Sequence, residues 1–406
     1  MAIAKNYEEL KPYIPSNGNE ENYALLTQYL LLQDLETKKL KNQELIQNYG
    51  FQNEQLTKAE TFFSLKKIQF PCIENPKFTF IDLFAGIGGF RLAMQSCGGE
   101  CVFSSEWDDA AKQTYYENYG EVPFGDITRD EVKALIPEKF DVLCAGFPCQ
   151  PFSNAGLKKG IEDARGTLFY HIADILKNHQ PKVVFLENVR GLISNDSGKT
   201  IKVVLNTILE MGYKCNISLD LIKHGAISKL KEECSKMVLS AKDYGVPQNR
   251  PRIYIILWRK DIDIKSFEYP EPDNSNTSIG SILEENVPDS FTISDKLWDG
   301  HKRRRIENAA KGYGFGYCLF NANSPYASTL SHRYYKDGSE ILIEQKGKNP
   351  RKITPREAAN LQGFPINFIL PHSNTKAYKQ FGNSVVVPVI TKLSQQIYIQ
   401  ILKELK

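Results

Sequence analysis

The chain has 406 residues, of which 41% are hydrophobic and 24% are charged, and its formal net charge is +3. This length allows two or three domains, and the composition is typical of a globular protein with a full hydrophobic core. No apolar run approaches the roughly 18–20 residues that span a bilayer, and residues 1–13 lack the layout of a secretion signal. The eight cysteines are dispersed, so we expect a reducing, cytoplasmic setting without disulfides.

The predicted elements divide the chain into regions of different character. Residues 1–77 are mostly polar, with short apolar stretches of helical spacing such as 23–32, and we expect a small helical extension there. After it, apolar strands alternate with helical patterns, which predicts an α/β fold of βαβ units around a parallel sheet. The predicted strands are 78–84, 101–105, 140–145, 183–186 and 252–257, and the predicted helices are 109–119, 167–179 and 199–211. Between about 262 and 350 the alternation stops, no long helix is predicted and a second domain is expected; residues 384–406 are again helical.

A glycine-rich turn, FAGIGG at residues 84–89, follows the first predicted strand. Glycines at this place permit a tight turn and let the backbone approach a ligand closely. The spacing differs from G-x-G-x-x-G, and no Lys-Ser or Lys-Thr pair follows as in a P-loop. Pyrophosphate is therefore not the expected ligand.

Acidic and aromatic residues follow the next strands. Glu106 ends the second strand, where a carboxylate can accept hydrogen bonds from a ribose diol, and Trp107 offers a flat face for stacking an adenine. Asp126, followed by Ile127, can accept from an exocyclic amine. Singly, such a tryptophan is more often part of a core and such an aspartate more often a helix cap. Together with the glycine turn they predict a nucleoside site without phosphates, which suits S-adenosylmethionine.

The string GFPCQPFS at residues 146–153 places a cysteine between two prolines. A lone cysteine is usually a small buried apolar residue, but Cys149 follows a predicted strand in a loop that Pro148 and Pro151 would stiffen. A thiolate there can add to C6 of cytosine and make C5 nucleophilic toward a methyl sulfonium. The pattern favours Cys149 as a covalent nucleophile.

Addition to C6 places negative charge on N3 and O2 of the base, so the chemistry needs an acid and a cation. Glu187 ends another apolar strand, where burial under a bound base would let it carry a proton near neutral pH. Arg250 and Arg252 have i, i+2 spacing at a strand start, which predicts that both point the same way and hold O2 and a phosphate. A strand-capping carboxylate and ordinary salt bridges are the alternatives.

Over roughly residues 78–406 the chain resembles the bacterial-type DNA (cytosine-5-)methyltransferases. The motifs that carry the resemblance, in the family's order, are FAGIGG, GFPCQPFS, ENV, QNRPR, TPRE with LQGFP, and QFGNSV. The resemblance implies a doubly wound mixed sheet of the α/β S-adenosylmethionine-dependent methyltransferase fold, with a smaller, mostly β and loop target-recognition domain. It implies Cys149 as the nucleophile, Glu187 as the acid at N3, and Arg252, with Arg250 beside it, as the clamp on a flipped cytosine.

The cofactor that the resemblance implies is S-adenosyl-L-methionine. Its expected contacts are Phe84, Gly86, Ile87, Gly88, Gly89, Glu106, Trp107, Asp126, Ile127, Pro148, Asn383 and Ser384. Because the last two are far along the chain, the C-terminal helix would return to the N-terminal sheet. The expected domains are an extension (1–77), a discontinuous catalytic domain (78–261 and 372–406) and a target-recognition domain (262–371).

The implied substrate is double-stranded DNA, with the target base rotated out of the stack. Two basic stretches, 301–305 and 346–356, favour phosphate contact because they lie near these motifs; a solvated surface is the alternative. The expected DNA contacts are Gln150, Ser153, Arg303, Arg304, Thr329, Leu330 and Arg333. The string at 328–338 resembles recognition segments of family members that modify sites of the CC-x-GG kind.

Two other functions are compatible with the fold: a tRNA cytosine-5 methyltransferase, and a catalytically idle DNA-binding regulator that uses the extension. A full-length recognition segment favours DNA, and intact Cys149, Glu187 and Arg252 favour an enzyme. We expect no metal, because Cys97 and Cys101 lack a partner pair at usable spacing, and no membrane partner. The resemblance further implies a bacterial, cytoplasmic monomer that protects DNA from a cognate restriction endonuclease. Residues 216–238 depart from the family as an added exposed helix or loop.

Overall fold

The computed structural model describes residues 7–31, 46–148, 168–273 and 275–405. The predicted site residues Cys149, Gln150 and Ser153 lie outside these ranges. The chain divides into two compact units. Unit 1 comprises Met1–Val238, Arg252–Pro270 and Ile390–Lys406, and unit 2 comprises Leu239–Pro251 and Glu271–Val389. The functional domain boundaries expected from the sequence stay a prediction.

The central sheet is mixed, as the resemblance implied. Its strands, in chain order, are β1 (Phe78–Leu83), β2 (Gly99–Ser105), β3 (Val142–Gly146), β4 (Val183–Val189), β5 (Tyr213–Lys214), β6 (Val238–Ser240) and β7 (Pro251–Arg259). The strand order is β2-β1-β3-β4-β7-β5. The first four strands in this order run parallel, and β7 is antiparallel to both β4 and β5.

The parallel strands are buried on both faces, which explains why their sequences are almost continuously apolar. Only Thr79 of β1 is not fully buried, and all residues of β2 are buried. Each of the five predicted strands is present, and the ends differ by a few residues. The carboxyl ends of β1, β2, β3 and β4 therefore meet at one edge of the sheet, where ligands bind in open α/β folds.

The helices are short to medium in length. They are α1 (Glu20–Leu31), α2 (Asn53–Ser64), α3 (Gly89–Ser96), α4 (Asp109–Tyr119), α5 (Asp130–Lys133), α6 (Leu168–His179), α7 (Lys199–Glu210), α8 (Leu219–His224), α9 (Ile227–Ser235), α10 (Asp295–Ala310), α11 (Pro355–Leu361), α12 (Asn374–Asn383) and α13 (Val387–Ile397). The helices α8 and α9 form the added segment that was expected as an exposed helix or loop. The helix predicted for 384–406 begins at Val387 and continues beyond Ile397 as a π-helical turn, Tyr398–Leu402.

One helical stretch among the described residues, Asn374–Leu402, is long and apolar enough to cross a membrane by length and composition alone. A helix in the core of a globular protein meets the same criteria, and 56% of the most apolar window is buried. Ser384 is extended, with ψ 156°, and so divides the stretch. The Ser394 hydroxyl lies 3.0 Å from Met94 Sδ on α3. We interpret the C-terminal part as a core helix.

Unit 2 contains a small sheet of two-residue strands, β8 (Leu319–Phe320), β9 (Leu342–Ile343) and β10 (Arg351–Lys352), in the order β10-β9-β8. It also contains α10, a helix of 16 residues, where the sequence pattern predicted no long helix. The expectation was wrong because α10 has almost no apolar face: His301 is its only fully buried residue. The Ser294 side chain caps its first turn by accepting from Leu297 N, a signal that the pattern did contain.

Candidate active site

The glycine turn after β1 has a backbone that side chains rarely adopt. Gly86 and Gly88 have φ angles of 57° and 82°, and Phe84 is also at φ 57°. A Cβ at Gly88 would lie 2.3 Å from Cε2 of Tyr119, whose hydroxyl donates to Gly88 O at 2.7 Å. A Cβ at Gly86 would have no heavy atom within 4 Å. The turn is therefore packed against α4 at Gly88 and open at Gly86, where a ligand could approach the backbone.

The Glu106 carboxylate ties the glycine turn to the end of β2. It accepts hydrogen bonds from Gly86 N at 2.8 Å, Trp107 N at 2.9 Å and Asp108 N at 2.8 Å. Burial raises the pKa of this carboxyl above its ordinary value, and the three N–H donors oppose that shift. Oε1 accepts two of these bonds and Oε2 accepts one, so Oε2 keeps a further lone pair for a ligand hydroxyl.

Trp107 follows Glu106 in sequence, and the segment that leads to Asp126 is hydrogen-bonded to the end of β2. The Trp107 side chain is 76% exposed, so its flat face is open rather than part of the core. Glu106 N donates to Phe124 O at 2.9 Å, and Ser105 Oγ donates to Gly125 O at 2.8 Å. These bonds hold the segment that leads to Asp126 against the end of β2. An open glycine backbone, a carboxylate and a free indole face fit a nucleoside without phosphates.

The other residues that were predicted to contact the cofactor have different surroundings. Ile127 is buried and the Asp126 side chain accepts from Thr128 N at 2.9 Å. Pro148, the last described residue before Cys149, is exposed. Asn383 and Ser384 belong to unit 2, whereas the glycine turn belongs to unit 1. The joint cofactor role of these residues stays a prediction.

Glu187 and Arg252 form an ion pair in unit 1. Glu187 is opposite Tyr254 in the antiparallel β4–β7 pair, so Arg252, two residues earlier on β7, lies on the same face. Arg252 Nε is 3.2 Å from Glu187 Oε1, and their side chains are only 13% and 12% exposed. The salt bridge considered as an alternative is present, and it brings together the two side chains expected to contact a cytosine.

Asn188, which was not predicted as a site residue, anchors the backbone that leads to Cys149. Its Nδ2 donates to Phe147 O at 2.8 Å, and its Oδ1 accepts from Val189 N at 2.8 Å. Asn188 is only 2% exposed. Gly146 pairs with Glu187 in the parallel β3–β4 ladder, so the two strand ends emerge side by side. The sequence signal that could have identified Asn188 was its position next to Glu187 in the ENV motif.

Arg250 has partners different from those of Arg252. Its guanidinium donates to Leu330 O at 2.8 Å, Gly382 O at 2.9 Å and Ser384 O at 2.8 Å, all within unit 2. The residue is 3% exposed. Arg250 therefore links the backbone of the segment at 328–338 to the QFGNSV motif, whereas the Arg252 guanidinium contacts the Glu187 carboxylate.

Gln248 reinforces the same junction in unit 2 and was missed from sequence. It is fully buried, its Nε2 donates to Leu361 O at 2.7 Å, and its Oε1 accepts from Leu330 N at 2.9 Å. A Cβ at Gly382 would lie 2.4 Å from the Ser331 carbonyl carbon. Glycine is required there because the two backbones touch.

Among the described residues, some of the predicted DNA contacts are exposed, and the others are buried or bonded within the protein. Arg333 is exposed, and Arg303 has a side chain that is 77% exposed, 3.7 Å from Glu307. By contrast, Arg304 donates through both terminal nitrogens to Asp337 Oδ2 at 3.0 Å. Leu330 is fully buried, and Thr329 Oγ1 donates to Asn249 O at 2.7 Å. Arg303 and Arg333 are the two side chains of this set that are open to solvent.

Within the described ranges, no group of three or more His, Cys, Asp or Glu side chains could hold a metal ion. The groups of the candidate site described above are carboxylates, an indole, an arginine and backbone groups.

Comparison with known proteins gives a consistent family. The sequence model of the family described as C-5 cytosine-specific DNA methylase matches residues 78–398. The Type II methyltransferase M.SsoII of Shigella sonnei is 51% identical over 331 residues, which is 81% of this chain and 82% of that protein. The Type II methyltransferase M1.ScrFI of Lactococcus lactis is 52% identical over 327 residues, 80% of this chain and 79% of that protein.

Among solved structures, the methyltransferase EhMeth of Entamoeba histolytica aligns with a TM-score of 0.60 and covers 81% of this chain and 99% of its own. At 20% sequence identity this likeness supports the fold alone. The family assignment rests on the sequence matches, which cover the sheet and all six motifs. The chain belongs to the C-5 cytosine-specific DNA methylase family and is a DNA (cytosine-5-)methyltransferase.

Proposed function

We propose that this enzyme methylates C5 of a flipped cytosine in double-stranded DNA at a specific sequence and uses S-adenosyl-L-methionine as the donor. The observation that carries the proposal is the Glu187–Arg252 pair at the end of β4, next to the end of β3 that leads to Cys149. The glycine turn, Glu106 and Trp107 lie at the ends of β1 and β2, at the same edge of the sheet.

The proposed reaction begins with addition of the Cys149 thiolate to C6 of cytosine. The electron pair of the C5–C6 double bond moves toward N3 and O2, where Glu187 carries a proton to N3 and Arg252 donates hydrogen bonds to O2. C5 is then nucleophilic, and as it bonds to the methyl carbon the methyl–sulfur bond of the donor would break, with the electron pair left on the sulfur of the departing thioether. Loss of the C5 proton to a base, expulsion of the thiolate from C6 and return of the N3 proton to Glu187 restore the aromatic ring. When bound, S-adenosylmethionine supplies the electrophilic methyl group.

The Glu187–Arg252 ion pair suggests how these two side chains are positioned before the base binds. Both side chains are mostly buried, and each reduces the cost of burying the other. A flipped cytosine would offer N3 to the carboxyl group and O2 to the guanidinium, so it can replace part of their mutual contact. Strand register fixes both groups before binding, which reduces the ordering cost in the transition state.

Four of the other cysteines, Cys72, Cys101, Cys144 and Cys215, lie in environments that disfavour a nucleophilic thiolate. Seven of the eight cysteines are described, and all seven are free. Burial raises the pKa of Cys72 to about 12 and of Cys215 to about 11, and it raises those of Cys101 and Cys144 well above the ordinary value. Such thiols are poorly ionised at neutral pH and make weak nucleophiles.

Recognition of DNA is assigned to unit 2. The turn at 331–333 follows buried Leu330 and exposes His332 and Arg333. Arginine is well suited to guanine in the major groove and to phosphate. The resemblance of residues 328–338 suggests a CC-x-GG target, and the Type II methyltransferase relatives support a role in a restriction-modification system. We further propose a cytoplasmic monomer that is partnered by an endonuclease acting on the same site.

Bisulfite sequencing of DNA from cells that express the chain tests this function. We expect cytosines at one short motif, of the CC-x-GG kind, to become fully protected from deamination, and a Cys149→Ser variant to leave them unprotected. Unchanged DNA, or new methylation confined to tRNA, would contradict the proposal. Methylation at another DNA motif would overturn only the target assignment.

A further inference from the structure

The N-terminal extension packs into the core of unit 1. Leu10 and Phe63 of the extension form one buried cluster with Tyr116 of α4 and with Val122. Gln28 Nε2, on α1, donates to Val102 O of β2 at 2.6 Å. Because β2 is the edge strand of the sheet, α1 covers an edge whose backbone groups would otherwise face solvent.

The extension also holds both ends of the segment 122–129. At one end, Thr27 Oγ1 accepts from Val122 N at 3.0 Å in a buried position. At the other end, Arg129 Nη1 donates to Glu21 Oε1 at 2.8 Å. This segment contains Asp126, which follows the residues Phe124 and Gly125 that are hydrogen-bonded to Glu106 and Ser105.

The ion pair between Glu21 and Arg129 has a buried carboxylate. The Glu21 side chain is only 3% exposed, and a buried carboxylate is costly unless it is paired. Arg129 N in turn donates to Asp126 O at 3.1 Å, which closes the turn that carries Asp126. A second carboxylate, Glu131, binds the same guanidinium at 2.8 Å, but its side chain is 63% exposed. Surface pairs of that kind contribute little.

We propose that Glu21 and Thr27 are positioning residues for the adenine end of the methyl donor. They fix Arg129 and Val122, and through them the turn of Asp126 and Ile127. The inference rests on the proposed function, because it takes this turn to be part of the S-adenosylmethionine site. The extension then contributes to donor affinity, and the chemical step does not depend on it.

The test compares full-length wild type with Glu21→Ala, Thr27→Val and the matched control Glu131→Ala. Calorimetric titration with S-adenosylmethionine, without DNA, gives the donor Kd, and thermal unfolding checks that each variant is folded. We expect Glu21→Ala and Thr27→Val to raise the Kd and the donor KM about three- to tenfold while kcat at saturating donor stays within about twofold. Glu131→Ala should bind the donor as wild type does.

Folded Glu21→Ala and Thr27→Val variants that bind the donor as wild type does would overturn the inference. If Glu21→Ala is not recovered in folded form, Thr27→Val, which removes one hydrogen-bonding oxygen, decides by the same criterion. A loss of kcat without a change in Kd would also contradict a positioning role at the donor. Wild-type protein that binds no S-adenosylmethionine would instead refute the proposed function.

Discussion

At the scale of single residues, Glu187 is the side chain whose protonation the chemistry requires. Glu187→Gln keeps the shape and can still accept from Arg252, but it cannot transfer a proton to N3. We expect kcat to fall by about 10²–10⁴-fold, the usual contribution of a positioned acid or base. Single-turnover methylation rates measure this, and the donor Kd should not change.

Glu210→Gln is the matched control for that substitution, because Glu210, at the end of α7, forms a half-exposed ion pair with Lys223 of α8. It should retain wild-type activity. A Glu187→Gln enzyme that methylates at the wild-type rate would show that N3 is protonated by another group.

Asn188 is the residue that sequence reasoning missed in unit 1, and its effect should appear in kcat. Asn188→Ala leaves Phe147 O without its buried donor, and an unsatisfied buried group costs about 1–3 kcal/mol. The backbone before Cys149 would then be less well fixed, and we expect kcat to fall about tenfold or more. Single-turnover rates and fluorescence anisotropy with duplex DNA separate this loss from DNA binding.

Asn178→Ala, which removes an exposed contact with Asp174 at 3.5 Å, is the control for Asn188. Equal rates for the two alanine variants would mean that the Asn188 side chain does not position the loop.

At the scale of elements, α10 depends on a neutral histidine. His301 is fully buried; Arg304 Nη2 donates to its Nδ1 at 2.5 Å, and its Nε2 donates to Asp337 O at 3.3 Å. Burial is the main cause that lowers the pKa of His301 below its ordinary value of 6.5. Protonation of Nδ1 would give the imidazole a positive charge next to the positively charged guanidinium of Arg304.

Because the folded pKa of His301 is lowered, its contribution to stability is present above about pH 6.5 and is lost as the pH falls through the folded value. We therefore expect the Tm of wild type to decrease more between pH 7 and pH 5 than the Tm of His301→Gln. Calorimetric unfolding across this range measures the difference. Parallel curves for the two proteins would contradict the assignment.

The same helix illustrates what a sequence pattern can and cannot predict. The strands β1, β3 and β4 were predictable because parallel strands buried on both faces are apolar throughout. The helix α10 was not, because a charged helix that buries little more than His301 has no apolar stripe for periodicity to reveal. Its capping serine, Ser294, was the only local signal.

At the scale of the whole molecule, the motifs predicted the places of the glycine turn, Glu106, Trp107, Glu187 and Arg252 at strand ends, which meet at one sheet edge. The ion pair between Glu187 and Arg252 was considered only as an alternative. The roles of Arg250 and Gln248 did not follow, because their partners are backbone carbonyls and amides of Leu330 and Gly382, distant in sequence. Because backbone carbonyls and amides are common to all residue types, the identity of the partner residue does not reveal such contacts. The packing of the extension on α4 was hidden for a different reason, because the side chains of Leu10, Phe63 and Tyr116 that form this buried cluster are distant in sequence.

The central claim is covalent catalysis by Cys149, and it is tested most directly with duplex DNA that carries 5-fluorocytosine at the methylated position. Fluorine at C5 cannot leave as a proton does, so the enzyme should remain bonded to C6 after methyl transfer. With S-adenosylmethionine present, we expect a denaturation-resistant protein–DNA adduct, and peptide mass spectrometry should locate it at Cys149. Cys149→Ser should form none. An adduct on another cysteine, or an active wild-type enzyme that forms no adduct, would contradict the mechanism.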